Sequence, residues 1–197
     1  MSKMWSLCLL GFLLAACRSE IPEGELLSTA IALSYPRAVA ASADHPLVLN
    51  PVIHGSGPVE FCLTLLEERG AKDDPDLRSA ILNYCSKTED TPIEQAGLRW
   101  PYVTLTREEF REIIALGREA NGFFGTWDDF YRRFPESAGY LTLGKTGLSR
   151  SGKTLIFRRD SEVNLMNCYH GLRVFRRSSA DVDFGEPSVP IGGGTAC

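Results

Sequence analysis

The strongest constraint on the fold of this chain is a pair of cysteines, Cys62 and Cys85, set at nearly equal distances on either side of a polar turn centred near Asp73. Upstream, Pro58 suits a first helical position, Val59, Cys62, Leu65 and Leu66 recur as one apolar stripe, and Gly70 supplies a stop. Downstream, Asp74 caps a second helix with Pro75 at its first position, and Leu77, Ala80, Ile81, Tyr84 and Cys85 share one face. An antiparallel pair of such helices places the two thiols opposite each other on buried stripes. The pattern predicts a Cys62–Cys85 disulfide, closing a loop worth about 3 kcal/mol in chain-entropy terms. Two buried free thiols are the alternative.

The rest of the chain is punctuated almost as well. ELLSTAIALSYP, from Glu25, reads as a helix stopped by Pro36, and Leu47-Val48-Leu49 as a short strand. Tyr102 to Leu105 reads as a strand running into a helix marked by a Thr106–Glu109 capping box and a Leu105–Phe110 staple, with Ile113 and Ile114 continuing its apolar face to Asn121-Gly122. A second cap, Thr126 with Asp129, opens a segment carrying Trp127, Phe130 and Tyr131 before Pro135. From Gly139 the character changes: Tyr140 to Leu143, Thr154 to Phe157 and Leu172 to Phe175 are short β-rich runs, joined by Ser151-Gly152 and the polar Asp160-Ser161-Glu162 stretch. The expected class is α+β, with N-terminal helices including a helical hairpin followed by an antiparallel β-meander. No internal repeat is visible.

The N-terminus reads as an address. MSKMWSLCLLGFLLAAC has one charge, Lys3, then an apolar run from Trp5 to Ala16 that is too short to span a bilayer, the layout of a secretory signal. Leu14-Ala15-Ala16-Cys17 resembles the lipobox of bacterial lipoproteins. That resemblance implies removal of residues 1–16, lipidation of Cys17, a tether over 17–24 and one domain over 25–186, with a Gly- and Pro-rich tail over 187–197. The implied location is the bacterial cell envelope, on the periplasmic face of the outer membrane in a diderm host, since Arg rather than Asp follows Cys17.

Without the signal, 20 basic residues face 25 acidic ones, which makes nucleic acid an unsuitable partner. The charge is uneven: residues 59–95 carry nine acids against four bases, and residues 140–178 carry eight bases against Asp160 and Glu162. A basic sheet face could meet anionic lipid headgroups or envelope polymers, and the solvated face of a sheet is the plainer reading. Four thiols remain after Cys8 leaves and Cys17 is acylated, namely Cys62, Cys85, Cys168 and Cys197, with three connectivities in an oxidising compartment. Beside the Cys62–Cys85 pairing, Cys168 is the available partner for Cys197, against free or intermolecular thiols.

One motif invites a function that its context opposes. Gly147-Leu148-Ser149-Arg150-Ser151-Gly152-Lys153-Thr154 fits the phosphate-loop pattern in full. A phosphate loop needs a helix N-terminus after its Lys-Thr, whereas Leu155-Ile156-Phe157 are β-formers and no later apolar strand ends in Asp. Gly147, Gly152, Lys153 and Thr154 therefore read as parts of a turn between strands, the match being coincidental. The histidines His45, His54 and His170 are scattered, and no metal spacing, G-x-S-x-G elbow or cofactor motif is present. Cys168-Tyr169-His170 reads as a structural cysteine beside an exposed histidine.

Trp127…Phe130, Phe134-Pro135-x-Ser137-x-Gly139-Tyr140, Gly147-Leu148 and Ser151-Gly152-Lys153, followed by an apolar strand and a cysteine-glycine segment, resemble a group of uncharacterised bacterial proteins, as does PRAVAASADHPLVL. The resemblance implies a turn at the Gly-Lys position. It also implies a cysteine pair four apart, of which this chain keeps Cys168 and has Asn164 in the other place. That substitution favours pairing of Cys168 with Cys197. The resemblance carries no activity.

Together these readings describe a lipid-anchored envelope protein without cofactor or metal, acting by binding or interaction with an envelope protein or anionic polymer through a basic sheet face or the aromatic-rich helix. No residue stands out as catalytic. The competing expectations are an envelope hydrolase using Cys168 or a carboxylate, and a small-ligand carrier. A deep cleft of converging polar groups would favour these, and a shallow surface of one sign would favour interaction.

Overall fold

A computed structural model describes residues 21–35, 45–68, 71–164, 167–177, 184 and 189–191. Along them run α1 (Glu23–Ser34), β1 (Leu47–Leu49), β2 (Val52–Ile53), α2 (Val59–Glu68), α3 (Pro75–Cys85), β3 (Thr91–Pro92) and β4 (Tyr102–Thr104). Then follow α4 (Arg107–Asn121), α5 (Asp128–Arg133), β5 (Tyr140–Leu148), β6 (Thr154–Asn164), β7 (Asn167–Arg176) and β8 (Val189–Ile191). Six strands form one sheet in the order β4-β1-β5-β6-β7-β8, and β2 pairs with β3 apart from it. Among the described residues no helix is long and apolar enough to cross a membrane.

The expected order of N-terminal helices with a helical hairpin, then an antiparallel β-meander, is overturned. Helices and strands interleave: α2 and α3 come after two strands, and the sheet is mixed because β1 lies parallel to both β4 and β5. The physical reason lies in β1, whose three residues are all buried, as a parallel strand covered on both faces requires. A three-residue apolar run has no alternation from which a partner or a direction can be read. Nor do α2 and α3 form a jointly buried hairpin. Cys62 and Leu65 are buried, but Val59, Phe61 and Leu63 of α2 stand exposed, so α2 is a flank fastened to the fold.

The strands also run further than their apolar runs. β6 continues through Asp160-Ser161-Glu162, expected as a connection, because alternate residues there serve opposite faces. Ser161 is buried on one side, while Asp160 and Glu162 reach guanidinium partners on the other. The capping box at Thr106 and Glu109 is present in both directions. Thr126, by contrast, does not cap α5 through Asp129. Its hydroxyl donates to the Phe123 carbonyl at 2.6 Å and Trp127 occupies the cap position.

One sheet face is covered by α1, whose Leu27, Ala30 and Ile31 share a core with Leu141, Leu143, Leu155 and Phe157. The other face is covered twice. Ala80, Ile81 and Tyr84 of α3 pack with Ile156, Leu172 and Val174, and Phe110, Ile113, Trp127 and Phe130 of α4 and α5 pack with Val48 and Tyr140. The two helical groups do not meet over the middle of the sheet, and that gap is the candidate site.

Candidate functional site

In the gap lies a cleft of about 630 Å³ floored by Thr142 of β5 and by Arg158, Asp160 and Glu162 of β6. These three β6 residues project to one side because they are two apart in a strand. One wall is the segment after β2. His54 bridges to Gly144, its N–H donating to the Leu143 carbonyl and its carbonyl accepting from the Lys145 N–H, each at 2.9 Å. A register shift in the β5–β6 pairing between Leu143 and Thr146 accompanies this docking. Gly55 must be glycine, since a Cβ there would lie 2.1 Å from the Thr88 carbonyl oxygen.

Three acid–base pairs ring the cleft. His54 Nδ1 lies 3.2 Å from Asp90 Oδ2, and the Gly55 N–H donates to Asp90 Oδ1 at 2.8 Å. The Gly55 hydrogen bond, then His54 and Lys145, hold the Asp90 carboxyl below the usual range. Arg158 lies 3.6 Å from Asp160 on the floor. Arg107, at the first position of α4, pairs with Glu162 at the far end.

Tyr140 is spoken for. Its hydroxyl donates to the Leu105 carbonyl at 3.0 Å and accepts from Asn50 Nδ2 at 2.9 Å. Its ring stacks on Phe110 at 4.3 Å, and burial pushes its pKa up. It holds the cleft wall and is poorly suited to proton transfer. Among the described residues no group of three or more His, Cys, Asp and Glu could hold a metal ion.

No protein-family model, curated protein or solved structure matches this chain. The chemistry of the cleft is accordingly read from its own residues.

Of the residues singled out from the sequence, Cys62 and Cys85 are joined in a disulfide with their Cα atoms 6.0 Å apart. Cys17 and Cys197 lie outside the described residues, and so does the side chain of Cys168, which falls in β7 opposite Glu162. Gly147 to Thr154 is a β-hairpin. The Ser149 N–H donates to the Thr154 carbonyl at 2.8 Å, and the Ser149 hydroxyl accepts from the Thr154 N–H at 3.0 Å. Thr154 begins a strand rather than a helix, so the orphan N–H groups that cradle phosphate are engaged across the turn.

The bases of residues 140–178 do not share a face. Arg158 is in the cleft, while Arg159 is buried on the α1 side, its guanidinium 4.7 Å from the Tyr35 ring centre. Arg176 pairs with Asp74 at 2.5 Å, and Arg177 covers Phe184. Trp127 and Phe130 are core residues, and among the described residues the exposed aromatics are Phe61, Phe123 and Phe124. Sequence reasoning missed His54, Asp90, Arg107 and the Arg158-Asp160-Glu162 row. The row had a signal: charged residues at period two after Phe157, with Arg159 and Ser161 between them.

Proposed function

We propose that this chain is an exported, lipid-anchored envelope protein whose folded part binds a small polar molecule carrying charges of both signs in the cleft between α3 and α4. The observation that carries the reading is the ring of opposed pairs, His54–Asp90, Arg158–Asp160 and Arg107–Glu162, around one concave space. An apolar ligand would strip water from these groups without replacing it, at a cost of several kcal/mol. A ligand with both an ammonium and a carboxylate can share each pair instead. Leu14-Ala15-Ala16-Cys17 supports the anchor, and the Cys62–Cys85 disulfide accords with an oxidising compartment.

The test is a thermal-shift series with zwitterionic amino acids and short peptides set against uncharged saccharides. Zwitterions should raise Tm in the native chain and not in Arg158→Gln. An equal response to the uncharged set, or none, overturns the reading. Labelling with radioactive palmitate should be lost in Cys17→Ala, and retained label overturns the anchor.

A second reading, an envelope hydrolase, rests on the 3.2 Å His54–Asp90 contact, in which a carboxylate orients an imidazole able to take a proton from water. The two side chains are 44% and 58% exposed, so bulk water is not excluded from the pair, which favours binding.

A further inference from the structure

Beyond the Arg107–Glu162 pair lies a second concavity of about 400 Å³, which shares those two residues with the polar cleft. Its character differs. Phe110, Ile114 and Trp127 supply apolar wall, and Arg107, Arg111 and Arg118 of α4 supply charge.

The arginines are sorted on the helix. At about 100° per residue, Arg107, Arg111 and Arg118 fall within about 40° of one another, while Glu108, Glu109, Glu112 and Glu119 occupy a separate arc of about 100° that reaches round to the flank of Ile113. Within the helix this sorting gives Arg111 one acidic neighbour a turn away, Glu108, and leaves Arg107 and Arg118 without one. Arg107 and Arg111 are like charges four apart, and the positions three and four before Arg118 are Ala115 and Ile114. Arg107 is engaged by Glu162, whereas Arg111 and Arg118 make no ion pair among the described residues, Arg118 only covering the Phe123 ring. Glu162 is the single carboxylate in this wall, so the groove carries an excess of positive charge over an apolar floor.

We propose that this groove binds an amphiphilic anion, its carboxylate or phosphate held by Arg111 and Arg118 and its hydrocarbon portion laid on Ile114 and Trp127, with Arg107–Glu162 as the partition from the polar cleft. Guanidinium forks match the planar oxygens of carboxylate and phosphate. Spaced seven residues apart, Arg111 and Arg118 stand about 10 Å apart along the axis, bracketing the apolar side chains between them. The inference adds a compartment and does not depend on what the polar cleft binds.

The test uses the full chain with Trp5→Phe and Trp100→Phe, so that Trp127 alone reports, titrated with decanoate, decyl phosphate and decyltrimethylammonium below their micelle concentrations. Equilibrium dialysis of labelled decanoate with the unsubstituted chain gives the same readout independently. Saturable binding of decanoate or decyl phosphate is expected, weakened at least about ten-fold in Arg111→Gln/Arg118→Gln, as the loss of charge-assisted hydrogen bonds implies. The tighter of the two anions assigns the head group. Arg158→Gln, which disables the polar cleft, should leave this binding unchanged, so the two proposals fail separately. Equal binding of the cationic homologue, unaltered binding in the double variant, or no saturable binding overturns the inference.

Discussion

Glu23, in the first turn of α1, accepts hydrogen bonds from both the backbone N–H and the hydroxyl of Thr146, 123 residues away in β5. Its other carboxylate oxygen lies 2.5 Å from Lys87 Nζ, which also donates to the Thr146 carbonyl at 2.9 Å. One carboxylate thus ties α1, the segment after α3 and the irregular part of β5, where the edge of the polar cleft is formed. Both side chains are about three-quarters buried, at 27% and 25% exposure, so the pair is shielded from salt. Glu23→Gln keeps the shape but leaves the Lys87 ammonium without a counter-charge. A loss of about 2 kcal/mol is expected by urea denaturation, with little relief from added salt.

The Asp90 carboxyl carries a pH signature. Its folded pKa lies below the ordinary value, first through the Gly55 N–H and then through His54. A depressed carboxyl contributes stability that is present above the unfolded value of about 3.9 and is lost as pH falls through the lower folded value. Asp90→Asn removes the titration. Plotted against pH, the Tm difference between native chain and variant should be constant at neutral pH and shrink below about pH 4. Asp90 is more than half exposed, so the effect should be modest and sensitive to salt.

The Cys62–Cys85 bond closes a loop of 23 residues around the turn between α2 and α3. In chain-entropy terms that loop is worth about 3 kcal/mol. Much of α2 is exposed, so the bond is a principal hold on it. The double substitution Cys62→Ala/Cys85→Ala should lower the unfolding free energy by about 3 kcal/mol. Amide exchange in α2 should rise to the rate of local opening, while exchange in β5 and β6 should change only with the global stability.

What could be read in advance follows from the range of the interactions involved. Asp74 with Pro75, and Thr106 with Glu109, act within one helical turn, so their signals are local and α3 and α4 begin where those residues place them. The mixed sheet was hidden because β1 and β4 are three residues each, too short to show a period, and their pairing is settled by burial against distant segments. The cleft was hidden for the same reason. His54 meets Asp90 across 36 residues, and Glu162 comes from a stretch whose polarity resembles a loop. Its charges are tolerated in a strand because each has a partner on the same face, Arg158 of the strand itself for Asp160 and Arg107 of α4 for Glu162.

The hairpin from Gly147 to Thr154 makes a prediction opposite to that of a phosphate loop. Gly147 is in β5, where an added Cβ would lie 2.3 Å from the Ala80 carbonyl oxygen and 2.6 Å from Tyr84 Cβ. Both atoms belong to α3 and cannot yield without moving the helix off the sheet. Gly152 has open space around it but a φ of +76°, which an L side chain adopts at a cost of about 1 kcal/mol. Lys153 is exposed, and the turn is closed by the backbone N–H and the hydroxyl of Ser149 bonding to the backbone of Thr154. The expected order of destabilisation is therefore Gly147→Ala, by about 2–3 kcal/mol, then Gly152→Ala, by about 1 kcal/mol, with Lys153→Ala near zero. A phosphate loop would instead make Lys153 the sensitive position, through loss of magnesium-nucleotide binding with stability preserved. Urea denaturation of the three variants, read beside nucleotide titration of the native chain, separates the two, because packing at Gly147 and charge at Lys153 act through different observables.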